Sequence, residues 1–391
     1  MPTDGPLSGI RVLEFGHYIA APFCAQILAD QGADVIKVEP PGGGPRRNSD
    51  PVKNKGGYFP MVNRNKRSIE VDLKSAAGRE VLNALVASAD VLITNYGNRV
   101  PVKLGFGYDQ LSEVNPGLVY VHMTGFGHDS PYANKPAYDG IIQAMSGLLS
   151  LTGEPDRPPA LAGVFVPDHV TGLYAALAVM FGLRQRDVTG RGSFTDLAML
   201  DAALSLLGAF PSDVIDFGEP PQRNGGKVPR SYAGVHPAFD GWVYLAPMTA
   251  RMWAGVAKVI GDASLASFYP DEPGATDTRM AHRADLDARI DAWTSKHTED
   301  EISQAMEAAG VPASPIFTIE QIVADPNVEH RKLMRTVTLE DGSERHVVAS
   351  PFDVDDATYT ASPPRVGEHN AEILAELGRP AGSGQGTGGA E

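Results

Sequence analysis

Cysteine is almost absent from this chain: a single thiol, Cys24, stands among 391 residues. One cysteine excludes an intramolecular disulfide and a thiolate zinc site. It also fits a reducing compartment, so a cytoplasmic protein is expected. Basic residues are scarce too, with 33 Lys and Arg against 48 Asp and Glu and a formal charge of -15. That balance disfavours nucleic acid and anionic membrane as partners, and any anionic ligand must be met by a local basic pocket. No uninterrupted apolar run reaches membrane-span length. The opening MPTDGPLSG has neither a basic n-region nor an apolar h-region, so no signal peptide is expected. The ten histidines include no H-E-x-x-H or comparable ligand spacing, and no metal is expected. A G-x-S-x-G elbow and a G-x-x-x-x-G-K-[ST] loop are missing as well, which removes serine hydrolases and P-loop nucleotide phosphatases. What is present is ordinary for a globular chain: 42% hydrophobic and 21% charged residues, and length for one large core plus a smaller one.

The first third reads as repeated β-α-β units, which predicts an α/β fold with a parallel sheet. Ile10 to Phe15 is a buried strand, followed by the loop GHYIAAP, a helix through Phe23, Cys24, Ile27 and Leu28, and the strand DVIKVE. Glu39 stands where dinucleotide-binding folds keep the acid that holds ribose. The first turn, however, lacks G-x-G-x-x-G, so a nicotinamide dinucleotide is not expected. After PPGGGPRR, with Arg46 and Arg47, the alternation of Ile69, Val71 and Leu73 predicts a strand leading to Lys74. A helix over Ala76 to Ser88, the strand DVLITN and a further strand, LVYVHMTGF, continue the pattern. Asn95 and Tyr96 then lie at the carboxyl end of a strand, where open α/β sheets bind ligands. Lysines gathered at strand ends in an acidic protein suggest a phosphate pocket.

The most informative stretch is Leu161 to Leu200. Val170, Leu173, Tyr174, Leu177, Val179, Met180, Phe181 and Leu183 wrap almost all round one helix, which predicts that it is buried. Pro167 and Asp168 open it. Proline and acid in a first turn are ordinary helix punctuation, so one reading of Asp168 is a helix cap. The other reading rests on its company. After the turn VTGRG, FTDLAMLDAALSLLGAF predicts a second apolar helix, and a carboxylate held where two buried helices meet is a candidate nucleophile or base. Upstream, YDGIIQAMSGLLSLTG predicts a helix with Tyr138 and Asp139 in its first turn.

Composition shifts after Phe210. Residues 1–210, completed by 330–380, are expected to form the large domain, and 211–230 an extended linker rich in proline and glycine. Residues 231–315 then form a small α+β domain, opened by an Asp240-Gly241 hairpin and carrying helices around 251–260, 285–295 and 301–309. Residues 316–335 return towards the large domain, a second DG hairpin and the helix GEHNAEILAELG follow, and 381–391 is a low-complexity tail.

Several of these strings together resemble the family III CoA-transferases, the CaiB/BaiF group with formyl-CoA transferase, whose superfamily includes the α-methylacyl-CoA racemases. They are GIRVLEFGHYIAAPFCAQILADQGADVIKVE, NRNKRSIEVDLK, GREVLNALVASADVLITNYG, YDGIIQAMSGLLSLTGEPDRPP, TGRG and GVPASPI. The resemblance implies a Rossmann-like large domain and a small α+β domain joined by long linkers in an interlocked homodimer. It implies a coenzyme A thioester as substrate, with no tightly bound cofactor, and Asp168 as the residue that carries the acyl group covalently. His17, Ile19 and Ala20 would lie beside the thioester. Val71, Lys74, Asn95 and Lys103 would line the adenosine and phosphate end of CoA, and Tyr138 and Asp139 would border the acyl site. Gly225 and Gly226 would belong to the loop that closes over the intermediate. Relatives often carry basic residues where Pro40 and Pro41 stand here, which leaves Arg46 or Arg47 as substitutes. The racemase branch has a histidine at the position of Tyr138 and a glutamate at that of Thr249. A tyrosine and a threonine replace those two bases poorly, which favours transfer over racemisation of a 2-methylacyl-CoA. A CoA-binding regulatory protein without catalysis is the reading from another class.

Overall fold

Short runs of apolar residues pair in parallel to make one sheet. The strands are β1 (Arg11–Phe15), β2 (Asp34–Glu39), β3 (Arg67–Glu70), β4 (Val91–Thr94), β5 (Val119–Thr124) and β6 (Ser193–Ala198), in the order β3-β2-β1-β4-β5-β6. Every neighbouring pair is parallel. Strands β1, β2, β4 and β5 are buried along almost their whole length, as a sheet covered on both faces requires. The computed structural model describes residues 5–44, 58–228, 231–268, 281–339, 341–352, 362–380 and 383. Arg46 and Arg47 lie outside the described residues, as does the tail 381–391 apart from Ser383.

Connections cross both faces. In chain order the helices are α1 (Ala20–Asp30), α2 (Tyr58–Asn63), α3 (Ala76–Ala87), α4 (Arg99–Leu104), α5 (Tyr108–Val114), α6 (Asp139–Met145), α7 (Leu148–Leu151), α8 (Val166–Thr189) and α9 (Met199–Ser205). One core layer sets Ala21, Cys24 and Leu28 of α1 and Ala175 and Val179 of α8 against Val12, Val35, Val91 and Val121 of the sheet. The Cys24 thiol is fully buried there. The opposite layer sets Val81 and Leu85 of α3 and Ile373 of the helix Asn370–Glu376 against Leu13, Ile36 and Leu92. Helices α1 and α8 approach closely because position 172 has no side chain. A Cβ on Gly172 would stand 2.9 Å from the Ala20 carbonyl oxygen and 2.9 Å from Phe23. The close crossing brings the first turns of the two helices together.

The chain divides into two units. One comprises Met1–Leu148, Ala162–Pro211 and Pro326–Glu391, and the other Leu149–Leu161 and Ser212–Asp325. In the second unit an antiparallel sheet in the order β7-β8-β9 (Gly234–Pro237, Trp242–Leu245, Ala313–Pro315) packs with helices Ala250–Ile260, Arg283–Thr294 and Glu299–Ala308. Trp253, Val243, Leu286 and Ile302 form its core. The Asp240-Gly241 hairpin forms as its sequence predicts, and so does the later hairpin, β10 (Met334–Thr338) with β11 (Glu344–Val348).

Four expectations are corrected. Helix α8 is not buried all round: Leu173, Leu177, Met180 and Phe181 are exposed, so its apolar perimeter exceeds what the sheet and α1 cover. By length and composition this helix is apolar enough to cross a membrane, yet its other side is packed in the core just described. The segment after TGRG does not open a helix. Ser193–Ala198 alternates exposed and half-buried positions and pairs with β5, so the helical pattern starts only at Met199. The helix expected from Tyr138 to Gly153 breaks after Met145, where Gly147 adopts φ 94°. Finally, the segment expected as an extended linker contains the helix Phe210–Phe217, and the return segment holds Ile319–Val323 and Pro326–His330. Proline and glycine dominated the linker reading, while the four apolar residues of FPSDVIDF carried the helix.

Candidate active site

In a sheet of this order the chain leaves β1 towards one face and β4 towards the other, and the crevice between their carboxyl ends is where such folds take ligands. A cavity of about 700 Å3 opens there. Its wall is built from the turn after β1 (Gly16 to Ala20), the segment after β4 (Asn95 to Val100), the stretch Ala133 to Gly140, and Phe165 and Asp168 of the α8 entry.

Asp168 occupies the first turn of α8 two residues after the Val166 start, with Pro167 between them supplying helical φ at the price of an N–H. Its backbone N–H donates to Asp139 Oδ2 at 3.2 Å, and Gln143 Nε2 donates to Asp139 Oδ1. Gln143 Oε1 in turn accepts from the Ala162 N–H at 3.0 Å, which fixes the orientation of that amide. Asp139 is therefore buried and fully engaged, whereas among the described residues the Asp168 carboxylate accepts no hydrogen bond. Burial first, and the nearby charge of Asp139 second, push the Asp168 carboxyl from 3.8 up to about 7. Burial also raises the Asp139 carboxyl, with Gln143, the Asp168 N–H and His169 working against it. Two carboxylates share a poorly solvated corner, and the one that accepts no hydrogen bond among the described residues is the candidate nucleophile.

The turn after β1 is held from below and from the side. Glu14, buried in β1, accepts from Lys37 Nζ at 2.7 Å and from Lys66 Nζ at 2.7 Å. Lys37 also donates to the Gly16 carbonyl at 3.0 Å and Lys66 to the Pro22 carbonyl at 2.9 Å, so both ends of the turn are tied to this triad. Burial alone would raise the Glu14 carboxyl, but the two ammonium groups outweigh it and hold it below the usual carboxylate range. Burial pulls the Lys66 ammonium down to about 8, with Glu14 opposing. From the side, Asn95 clamps one peptide: its Nδ2 donates to the His17 carbonyl at 2.8 Å and its Oδ1 accepts from the His17 N–H at 3.1 Å. Tyr18 then takes φ 62°, a left-handed conformation rare for an aromatic residue, and its ring meets that of Tyr138.

Of the residues singled out from sequence, His17, Ile19, Ala20, Asn95, Tyr138, Asp139 and Asp168 line this one cavity. Asn95 spends its amide on the His17 backbone, so it shapes the wall rather than offering free hydrogen-bonding groups. Val71, Lys74 and Lys103 are not part of the wall: Val71 is buried in the core layer with Leu13 and Ile36, and the two lysines are exposed. Gly225 and Gly226 belong to the other unit, where both take left-handed φ, 60° and 78°, and Glu154 packs against Gly225. Thr249 caps the helix Ala250–Ile260 by accepting from the Met252 N–H. Sequence reasoning missed Tyr58, Arg99, Lys135 and Phe165 on the wall, and the Glu14–Lys37–Lys66 triad beneath it. The strings VLEF, VIKVE and NKRS contain the triad, but strands and turn had to bring them together. Among the described residues no group of His, Cys, Asp and Glu could hold a metal ion.

A carboxylate that accepts no hydrogen bond among the described residues, at the switch point of a parallel sheet and beside a turn with a rigid backbone, is a candidate acyl carrier. The chain belongs to CoA-transferase family III, which it matches over residues 7–370. It is 38% identical to the succinate–glutarate CoA-transferase of Agrobacterium fabrum, covering 95% of this chain and 96% of that one. It is 34% identical to the succinyl-CoA–D-citramalate CoA-transferase of Chloroflexus aurantiacus, over 95% of this chain and 94% of that one. Among solved structures, a CaiB/BaiF family protein from Brucella suis superposes with a TM-score of 0.83 at 34% identity, covering 96% of this chain and all of that one. The protein is a CoA-transferase, and these relatives are named for CoA thioesters and carboxylic acids.

Proposed function

We propose that Asp168 is the covalent carrier in a transfer of CoA between short dicarboxylic acids. Its carboxylate oxygen attacks the donor thioester carbonyl, the C–S bond breaks, and CoA leaves as the thiolate. The thiolate then attacks the Asp168 carbonyl carbon of the mixed anhydride. That releases the donor acid and leaves an aspartyl-CoA thioester. An acceptor carboxylate attacks this thioester and expels the thiolate, which finally takes the acceptor acyl group and restores Asp168. A carboxylate suits the task because the anhydride keeps the activation of the thioester, provided water is kept away. The observation that carries the reading is the Asp168 carboxylate itself, half-buried at the cavity wall and accepting no hydrogen bond among the described residues, with its carboxyl pushed up to about 7. The dicarboxylic class is supported by relatives named for succinate, glutarate, citramalate and mesaconate.

Trapping with hydroxylamine or borohydride after incubation with succinyl-CoA alone should modify Asp168. No modification with a proven donor, or modification elsewhere, refutes the mechanism. Racemisation of a 2-methylacyl-CoA finds less support. Tyr138 is 61% exposed and Thr249 is a helix cap, so neither occupies an environment that would make it a base. Deuterium exchange at the α-carbon without transfer to a free acid would reverse that preference.

The working form is proposed to be an interlocked homodimer. The apolar residues Leu173, Leu177, Met180 and Phe181 exposed along α8 are the kind of face a second copy covers. Light scattering should report a dimer that persists on strong dilution. A cytoplasmic location remains our reading of a chain with one thiol.

A further inference from the structure

The reaction brings anions to a cavity that already holds the carboxyls of Asp139 and Asp168, in a protein of net charge -15. Something on the wall must compensate, and its cations are not equivalent. Lys37 is engaged with Glu14 and the Gly16 carbonyl. Arg99, also without a carboxylate partner among the described residues, opens α4, whose last turn carries Lys103, the residue that the resemblance assigns to the phosphate end of CoA. Lys135 is different. Its backbone is fixed: Asn98 Nδ2 donates to the Ala133 carbonyl at 2.8 Å, and the Lys135 N–H donates to the Tyr132 carbonyl at 2.8 Å. Its ammonium has no carboxylate partner among the described residues. It rests 5.3 Å from the Tyr132 ring centroid, 5.9 Å from that of Phe126 and 3.3 Å from Met145 Sδ. Aromatic faces and a thioether hold a partly exposed cation weakly compared with a carboxylate.

The length of one helix then bears on the size of the ligand. Helix α6 begins at Asp139, which accepts from the Asp168 N–H, and ends at Met145, against which the Lys135 ammonium lies. Seven helical residues place those two ends roughly 10 Å apart. An extended four- or five-carbon diacid spans about 4–5 Å between its carboxyl carbons. A contact of about 3 Å at each end brings the reach to roughly 10 Å.

We propose that Lys135 is a specificity-determining residue that pairs with the distal carboxylate of a four- or five-carbon dicarboxylic acyl group while Asp168 meets the thioester end. The assignment rests on the reading of this cavity as the acyl site of a CoA-transferase. The test separates the two by including a binding measurement that needs no turnover. Calorimetry on the full-length protein compares two unreactive thioethers, S-(3-carboxypropyl)-CoA and S-butyl-CoA. Wild type should bind the carboxylated ligand about tenfold more tightly. That ratio should fall to near one in Lys135→Met and persist in Lys135→Arg, with S-butyl-CoA binding reporting that each variant is folded. In the transfer assay, wild type should prefer glutarate to glutaramate, its monoamide with an uncharged distal end, and Lys135→Met should lose the preference. An unchanged ratio in Lys135→Met, or no preference in wild type, overturns the role of Lys135. Failure of wild type to transfer CoA to any acid, with the binding ratio intact, overturns the transferase reading instead.

Discussion

Removing the charge of Asp139 while keeping its shape should move the pH range in which this enzyme works. In the proposed reaction Asp168 attacks only when ionised, and burial with Asp139 pushes its carboxyl up to about 7. Its ionised fraction is then about one-tenth at pH 6 and about nine-tenths at pH 8, so kcat/KM should rise nearly tenfold across that window. Burial is the larger cause of the raised value and Asp139 the second. Asp139→Asn removes only the second, so the limb should move to lower pH without reaching that of a solvated aspartate. The substitution has a structural cost. An Asn offers one oxygen where Asp139 now accepts from both Gln143 and the Asp168 N–H, and Gln143 cannot turn over without abandoning Ala162. Some loss of rate at pH 8 is therefore expected, and the diagnostic quantity is the pH 6 to pH 8 ratio. Because the 3′-phosphate of CoA titrates near 6, only the ratio of variant to wild type isolates Asp168. Stability should show the opposite sign. A carboxyl raised above its unfolded value favours the folded state at low pH, and that contribution is lost as pH rises through about 7. Asp168→Asn cannot ionise, so relative to wild type it should gain stability between about pH 4 and pH 8. Full conversion of the raised value gives about 4 kcal/mol, and solvent screening of a half-buried group reduces this to about 1–2 kcal/mol. A wild-type profile flat from pH 6 to pH 8, or a limb that Asp139→Asn leaves in place, would refute the reasoning.

Three further outcomes follow from the scaffold of the site. Glu14→Gln leaves two buried ammonium groups without their counter-charge and should cost about 3–5 kcal/mol in denaturant titrations, far more than a surface glutamate. Gly172→Ala would press a methyl group against the Ala20 carbonyl and Phe23. A loss of about 1–3 kcal/mol with a lower kcat/KM is expected, because the α1 and α8 entries would be forced apart. Asn95→Asp turns a donor into an acceptor against the His17 carbonyl, and CoA affinity measured by calorimetry should fall by about tenfold or more.

Much of the large unit was legible because its strands are short, apolar and spaced by amphipathic helices, and because the carboxyl ends of β1 and β4 announce a ligand crevice by topology alone. Asp168 and Asp139 were legible for a different reason: each follows a helix-start signal within a recognisable string. What failed was arbitration between helix and strand in FTDLAM, where edge pairing to β5 decides, and the burial of α8, where an all-round apolar perimeter describes a helix with an uncovered face equally well. Lys135 and the Glu14 triad were hidden because their significance is relational. Lys66 lies 52 positions from the carboxylate it bonds, and nothing in the spacing announces that two lysines converge on one buried glutamate.

The single cysteine has a consequence for the chemistry proposed at its door. Each proposed catalytic cycle twice releases a coenzyme A thiolate within a cavity partly walled by Ala20 and Pro22, and Cys24 follows two residues later on the same helix. A thiol beside that nucleophile invites a mixed disulfide whenever the surroundings turn oxidising. Here the sulfur is sealed into the layer between α1 and the sheet, and burial drives its pKa far upward, so it is neither reachable nor ionised. The enzyme should therefore keep its activity under oxidised CoA and alkylating reagents alike, its own coenzyme having no partner on the protein to capture.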